Sequence, residues 1–280
     1  MSAQPATASR YRGPSALGDD LRRFASLTWM LAVTDFKLSF FGSALGYLWS
    51  LTRPLMLFGV LYLVFTEVVK FGAGIQHYAV YLLTGIVLFG FFSETTNRGV
   101  TSLVEAENVL RKIRFPRMVI PLAVALRAAF NLSLNLIAVM VFVFASGIEP
   151  RVDWLQLPIL IGILAVLAVG VAMLVSALYV RYRDVQPIWD VSAQLLFYGS
   201  PVLYTVDQMP EQVQELEALN PIAVVFTQMR HALIDPEAPT AAAVFGGELR
   251  LLVPLAIVAA VFALGAWVFF REAPRIAENL

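Results

Sequence analysis

The chain has 280 residues, of which 59% are hydrophobic and only 14% charged, with a mean hydropathy of +0.74. A soluble domain carries about 25% charged residues, so a soluble globular domain is excluded. Twenty Lys and Arg balance twenty Asp and Glu, and there is no Cys. That removes a broad basic field for nucleic acid, a disulfide scaffold, a thiolate metal site and a Cys nucleophile, and leaves an integral membrane protein.

Residues 1–16 are Ser/Ala/Pro-rich with two Arg and no apolar core directly behind them. They read as a disordered cytoplasmic tail, not a signal peptide. Residues 17–53 read as a cytoplasmic interfacial segment. Leu21, Phe24, Leu27 and Leu31 share one side of a helix, with Arg22, Arg23, Ser26 and Lys37 opposite; Trp29, Met30 and Val33 blur the pattern. Such a helix lies among the headgroups or packs on the protein's own bundle, and both can hold at once.

A bilayer core of roughly 30 Å needs about 20 apolar residues as a helix. Six segments approach this: Pro54–Phe71, Tyr78–Asn97, Ala128–Ile148 (extending back to about Met118), Trp154–Val180, Pro187–Val206 and Leu251–Phe270. Their apolar runs are continuous, not alternating, so they read as helices and not as barrel strands. The expected fold is therefore all-α, a six-helix membrane domain over residues 54–271 followed by a short cytoplasmic tail, 272–280.

Between the second and third spans, residues 105–117 place acids first and bases last, matching a helix macrodipole. Val109, Leu110 and Ile113 give it an apolar face, and Pro116 stops or kinks it. This short cytoplasmic helix either docks on a soluble partner or is a plain positive-inside anchor. Between the fifth and sixth spans lies an acidic loop. Asp207 is placed to N-cap a helix with Pro210 in its first turn. That helix continues through Gln212–Leu219, with Val213, Leu216 and Leu219 on one side. Asn220-Pro221 breaks it, and a second helix runs Ile222–Ile234. Two outer helices over 208–234 cap a pathway or merely fill space.

Fifteen of the twenty basic residues fall before the first span, in the 2–3 and 4–5 loops and in the C-terminal tail. By the positive-inside rule both termini are cytoplasmic. Arg127, Asn131 and Asn135 recur every four residues and form one polar stripe on the third span. That stripe faces protein or water sooner than lipid. Glu94 and Asp190 lie a turn or two inside the cytoplasmic boundary, within reach of loop arginines. His77 and His231 are far apart, without a ligand cluster, so no metal site is expected.

The chain has no G-x-x-x-x-G-K-[ST], no G-x-S-x-G and no H-E-x-x-H. Energy for uphill transport must then come from an ion gradient or another subunit. Residues 54–148 and 155–270 show no internal symmetry, which speaks against a gradient-driven carrier. Clustered His or carboxylates at one interface are missing, which speaks against a membrane enzyme. Gly42-x-x-x-Gly46 fits the close-packing motif of membrane helices.

Three stretches carry a resemblance. They are Asp35-Phe-Lys-Leu-Ser-Phe-Phe-Gly-Ser-Ala-Leu-Gly-Tyr-Leu-Trp-Ser-Leu-Thr-Arg-Pro54; Tyr81-Leu-Leu-Thr-Gly85 with Phe91-Phe92 and Asn108-Val-Leu-Arg-Lys-Ile-Arg-Phe-Pro116; and Arg183-Asp-Val185, Tyr198-Gly-Ser-Pro-Val-Leu-Tyr204 and Asn220-Pro221. In order and spacing they resemble the permease subunit of type-2 ABC exporters for O-antigen, capsule, teichoic acid and other polyol phosphates. The likeness runs from about residue 20. Phe40-Phe41 departs from it, since the family often has a basic residue there.

The resemblance implies a bacterial inner-membrane homodimer on a dimer of ATP-hydrolysing subunits, exporting a lipid-linked polysaccharide. A small lipophilic compound is the alternative cargo. This chain would hold no cofactor, and ATP and Mg would sit on the partner. Glu107, Asn108, Leu110, Arg111, Lys112, Arg114, Phe115 and Pro116 would couple to the ATPase, and the N-terminal interfacial helix would touch it too. Pro210, Asn220 and Pro221 would belong to an outer gate. Tyr62, Phe65, Tyr81, Phe89, Phe91, Phe92 and Tyr198 would line a channel between protomers and stack on sugar faces, or pack in the bundle.

Overall fold

The computed structural model describes residues 21–41, 46–70, 74–107 and 116–279, with side chains as far as Glu272. Every regular element among the described residues is a helix. They are α1 (Leu21–Phe40), α2 (Leu48–Leu63, prolonged by a π turn to Val68), α3 (Tyr78–Glu105) and α4 (Val119–Ala145). Next come α5 (Leu157–Arg181, led in by the 3-10 turn Val152–Gln156), α6 (Val185–Gly199) and α7 (Glu211–Glu217). Last are α8 (Pro221–Met229, prolonged by a π turn to Ile234), α9 (Ala241–Val244) and α10 (Leu252–Asn279).

Among the described residues, five stretches are long and apolar enough to cross a membrane: Leu48–Val68, Tyr78–Glu105, Val119–Ala145, Val152–Arg181 and Glu248–Glu272. The fold is that of a polytopic all-α membrane protein. Helix α3 is its axis, packed between α4 and α5 and buried along most of its length. Its first half, residues 78–92, is almost wholly apolar, and a stretch of that kind belongs in such a place. Helix α10 lies along α5 at very close range. A Cβ at Gly170 would stand 2.7 Å from the Phe262 Cα, and Gly265 meets the Gly170 carbonyl. Lipid supplies no hydrophobic drive between helices, so close backbone packing through small residues takes its place. By contrast α2 and α6 expose most of their surface.

Helix α1 lies against α4, with Trp29 and Phe36 meeting the Phe130 ring edge-on at 5.4 and 5.6 Å. Phe24, Leu27, Leu31 and Ala32 turn inward. Leu21, expected on that side, is exposed together with Met30 and Leu38. Packing on the bundle is therefore part of what this amphipathic segment does.

The sequence boundaries need four corrections. Helix α2 begins at Leu48, so Pro54 lies inside the first span instead of opening it. Helix α3 runs to Glu105, eight residues past Asn97, and absorbs the first residue of the expected 105–116 helix. Helix α7 starts at Glu211 with Pro210 as its N-cap, so Asp207 caps nothing. The fifth expected span, Pro187–Val206, is helical only as far as Gly199. Fifteen residues of helix measure about 22 Å, short of a hydrocarbon core. Ser200 precedes a proline and is extended (φ −103, ψ 152), the conformation such a residue favours.

Among the expected coupling residues, Asn108, Leu110, Arg111, Lys112, Arg114 and Phe115 lie outside the described residues. So do Gly42 and the tail 1–16. Pro116 begins the turn that leads into α4.

Candidate functional site

The break after α6 frees backbone carbonyls in a buried stretch, where each needs a partner. Helix α3 supplies them. The Tyr78 hydroxyl donates to the Leu203 carbonyl at 3.0 Å. The Tyr81 hydroxyl sits between the carbonyls of Pro201 and Tyr204, 2.7 Å from the latter. One turn further, Gly85 makes room for Val202, whose Cγ1 and carbonyl oxygen would stand 3.3 Å from a Cβ at that position. Tyr78 opens α3, so residues 201–204 reach the end of the bundle where α3 begins.

Asn220 joins this segment to α7 and α8. Its Nδ2 lies 3.1 Å from both the Ser200 Oγ and the Glu217 Oε2. Its Oδ1 accepts from the Ile222 N–H at 3.1 Å and so caps α8, with Pro221 at the first helical position as capping rules favour. The Tyr204 hydroxyl donates to Glu217 Oε1 at 3.2 Å. Burial pushes the Glu217 carboxyl above its usual range, against the hydrogen bonds from Asn220 and Tyr204. Thus three separated pieces of sequence, Tyr81…Gly85, Ser200…Tyr204 and Asn220-Pro221, form one contact.

Beside it, Asp207 accepts from buried Arg230 at 2.8 Å, and Asp235 lies 4.0 Å from the same guanidinium. The Arg151 Nη2 approaches the carbonyls of His231 and Ala232 at 3.4 Å. The His231 Nδ1 lies 2.7 Å from the Ala238 carbonyl oxygen. Leu216 and Leu219, expected to share a packing face with Val213, are exposed.

The polar stripe on α4 faces α3. Asn131 Nδ2 reaches both Glu94 carboxylate oxygens, at 2.8 and 3.0 Å. Arg127, only 6% exposed, faces Glu94 Oε1 at 3.8 Å, and Arg98 faces it at 3.6 Å. Asn135 donates back to the Asn131 carbonyl at 2.9 Å. On α1, burial pushes the Asp35 carboxyl up while the Arg127 and Arg98 guanidinium charges pull it back. Glu94 thus pairs with a partner on its own span and another on α4, not only with loop arginines.

The seven expected channel aromatics divide. Tyr81, Phe89, Phe91 and Phe92 are buried inside the chain's own helix bundle. There Phe89 meets Phe197, and Phe92 meets Trp189, both of α6. Tyr62 and Phe65 are partly exposed, and Tyr198 is 58% exposed. Tyr198 ends a line that the sequence reading missed. Gln186, Asp190 and Gln194 precede it at intervals of four on α6, and all are exposed. The same four-residue rule that picked out Arg127, Asn131 and Asn135 would have found them.

Comparison with known proteins fits this architecture. Residues 26–234 match the ABC-2 type transporter family. The chain belongs to that family. The match covers the stretch from α1 to the π turn after α8, including the Tyr81–Asn220 contact and the Glu94 cluster. Among similar ABC-2 proteins is an O-antigen export system permease protein RfbA of Klebsiella pneumoniae. It is 28% identical over 72% of this chain and 77% of its own length. Its namesake in Myxococcus xanthus is 25% identical over 79% of this chain and 85% of its own. The polysialic acid transport protein KpsM of Escherichia coli is 24% identical over 68% and 74%. Family membership makes the chain a multi-pass transport subunit.

Proposed function

We propose that the chain is the permease of an ATP-driven exporter. It moves a lipid-linked polysaccharide, such as O-antigen, capsule or a teichoic-acid-like polymer, out across the bacterial inner membrane. The observation that carries this reading is the set of relatives named for O-antigen export and polysialic acid transport. Those names favour a polymer over a small lipophilic compound. In this reading α6 and its irregular extension make the fifth of six crossings, and both termini are cytoplasmic. Two copies sit on a dimer of ATPase subunits, which bind ATP and Mg, and the 105–116 region couples to them.

The path runs between the copies along α2 and α6. Support comes from what α6 exposes. Gln186, Asp190, Gln194 and Tyr198 form a continuous polar line on a helix at membrane depth. A carboxylate facing lipid there is costly, whereas hydroxyl-rich sugar and water satisfy it. Tyr62 and Tyr198 add rings for CH-rich sugar faces. Pro210, Asn220 and Pro221 belong to the outer gate.

The test is deletion of the gene in its host, with complementation. Surface polysaccharide should vanish while the lipid-linked polymer accumulates at the inner leaflet, and the wild-type copy should restore export. Unchanged surface polymer, with a small lipophilic compound retained instead, would overturn the reading.

A further inference from the structure

Helices α3 and α4 hold the two ends of one connection. Helix α3 stops at Glu105 and α4 starts at Val119, so any load on the residues between them reaches both. Glu94 lies about 16 Å along α3 from that end, and Arg127 and Asn131 lie about 12 and 18 Å along α4. The cluster therefore bridges the helices at one level.

We propose that the Glu94–Asn131–Arg127 cluster is the joint that makes α3 and α4 move as one body when their connection is displaced. Glu94 and Arg127 are thus positioning residues for transport, not contacts of the cargo. The proposal rests on the reading of the chain as an ATPase-driven permease. Two observations support it.

First, the grip is directional: one amide reaches both carboxylate oxygens, and a buried guanidinium faces one of them. Apolar helices in lipid are held by packing alone, whereas a buried charge is not easily parted from its counter-charge.

Second, α3 meets α5 by a different device, a Cβ-width apolar contact of Gly99 with Ala172, whereas the charged contact joins α3 to α4.

The experiment uses the complex with its co-purified ATPase in lipid nanodiscs and in vesicles. Glu94→Gln/Arg127→Gln removes both charges together, so no unpaired charge is left buried. The native chain has no Cys, so spin labels at Glu105→Cys and Met118→Cys report the distance between the helix ends. In the otherwise native complex this distance should stay single and narrow with and without ATP. In the double variant it should broaden or split on ATP binding. Polymer moved per ATP hydrolysed should fall at least tenfold while hydrolysis persists, and Arg127→Lys in the native background should keep most of it.

An unchanged distance together with an unchanged polymer-to-ATP ratio in a folded double variant overturns the joint. So does a loss of transport and hydrolysis in strict proportion to lost folded protein. If the wild-type complex hydrolyses ATP but moves no polysaccharide, the functional reading fails. The spin-label distances then still decide the joint by themselves.

Discussion

The Tyr81 hydroxyl lies 2.7 Å from the backbone carbonyl of Tyr204, 123 positions further along the chain. This single side chain closes a gap that the proline-induced end of α6 opens. It gives a buried, irregular stretch the hydrogen bond that its backbone needs.

Tyr81→Phe keeps the ring and removes that donor. A buried carbonyl left unsatisfied costs about 1–3 kcal/mol. The variant should unfold at lower temperature than wild type in the same detergent and export less polymer. A wild-type thermal midpoint would show that the carbonyls find another partner.

Gly85 tests the seat itself. Gly85→Ala brings a methyl to 3.3 Å from Val202 and should be tolerated with a small loss. Gly85→Leu should displace the 201–204 segment, seen as faster hydrogen exchange there. Equal exchange in both variants would refute the seat.

Asn220→Ala removes the α8 cap and the links to Ser200 and Glu217. A lost cap alone costs about 1 kcal/mol, and the loss here should exceed it. Asn220→Ser can restore the cap but not the reach to Ser200. It should recover helix stability without recovering export if the contact works as a gate.

Glu217 sets a pH dependence. Its folded-state pKa is raised above the ordinary 4.5 by burial. Its contribution to stability is then fully present below 4.5 and is lost as pH rises through the folded value. The contact of Glu217 with Asn220 and Tyr204 should loosen as pH rises from about 4.5 towards its elevated pKa, read by tryptophan or exchange probes. Glu217→Gln should flatten that slope. A slope unchanged by this substitution would assign the dependence elsewhere.

Asp190→Asn should leave folding intact, because Asp190 has no side-chain partner among the described residues, and should alter export rate if the α6 line touches cargo. Asp190→Leu should lower export further, as a hydrated wall becomes apolar. Wild-type export in both would remove Asp190 from the path.

The sequence was most legible where one physical rule acts alone. Length and uncharged runs located the crossings of α4, α5 and α10, and four-residue spacing placed Arg127, Asn131 and Asn135 on one face. The rule failed at residues 187–206 because hydropathy does not register what Ser200-Pro201 does to a helix. It failed at Asp207 because a cap and a long-range ion pair look alike until Arg230 is folded beside it. The burial of Tyr81, Phe89, Phe91 and Phe92 could not be read either. An aromatic ring suits a core as well as a sugar path, and only the position of α3 between its neighbours separates the two.

Helix α6 ends at Gly199, and its chain carries on through turns and bends against α3. Hydroxyls of α3, not a helical backbone ladder, hold this stretch in place. Whatever displaces Tyr78 and Tyr81 therefore carries residues 201–204 with it.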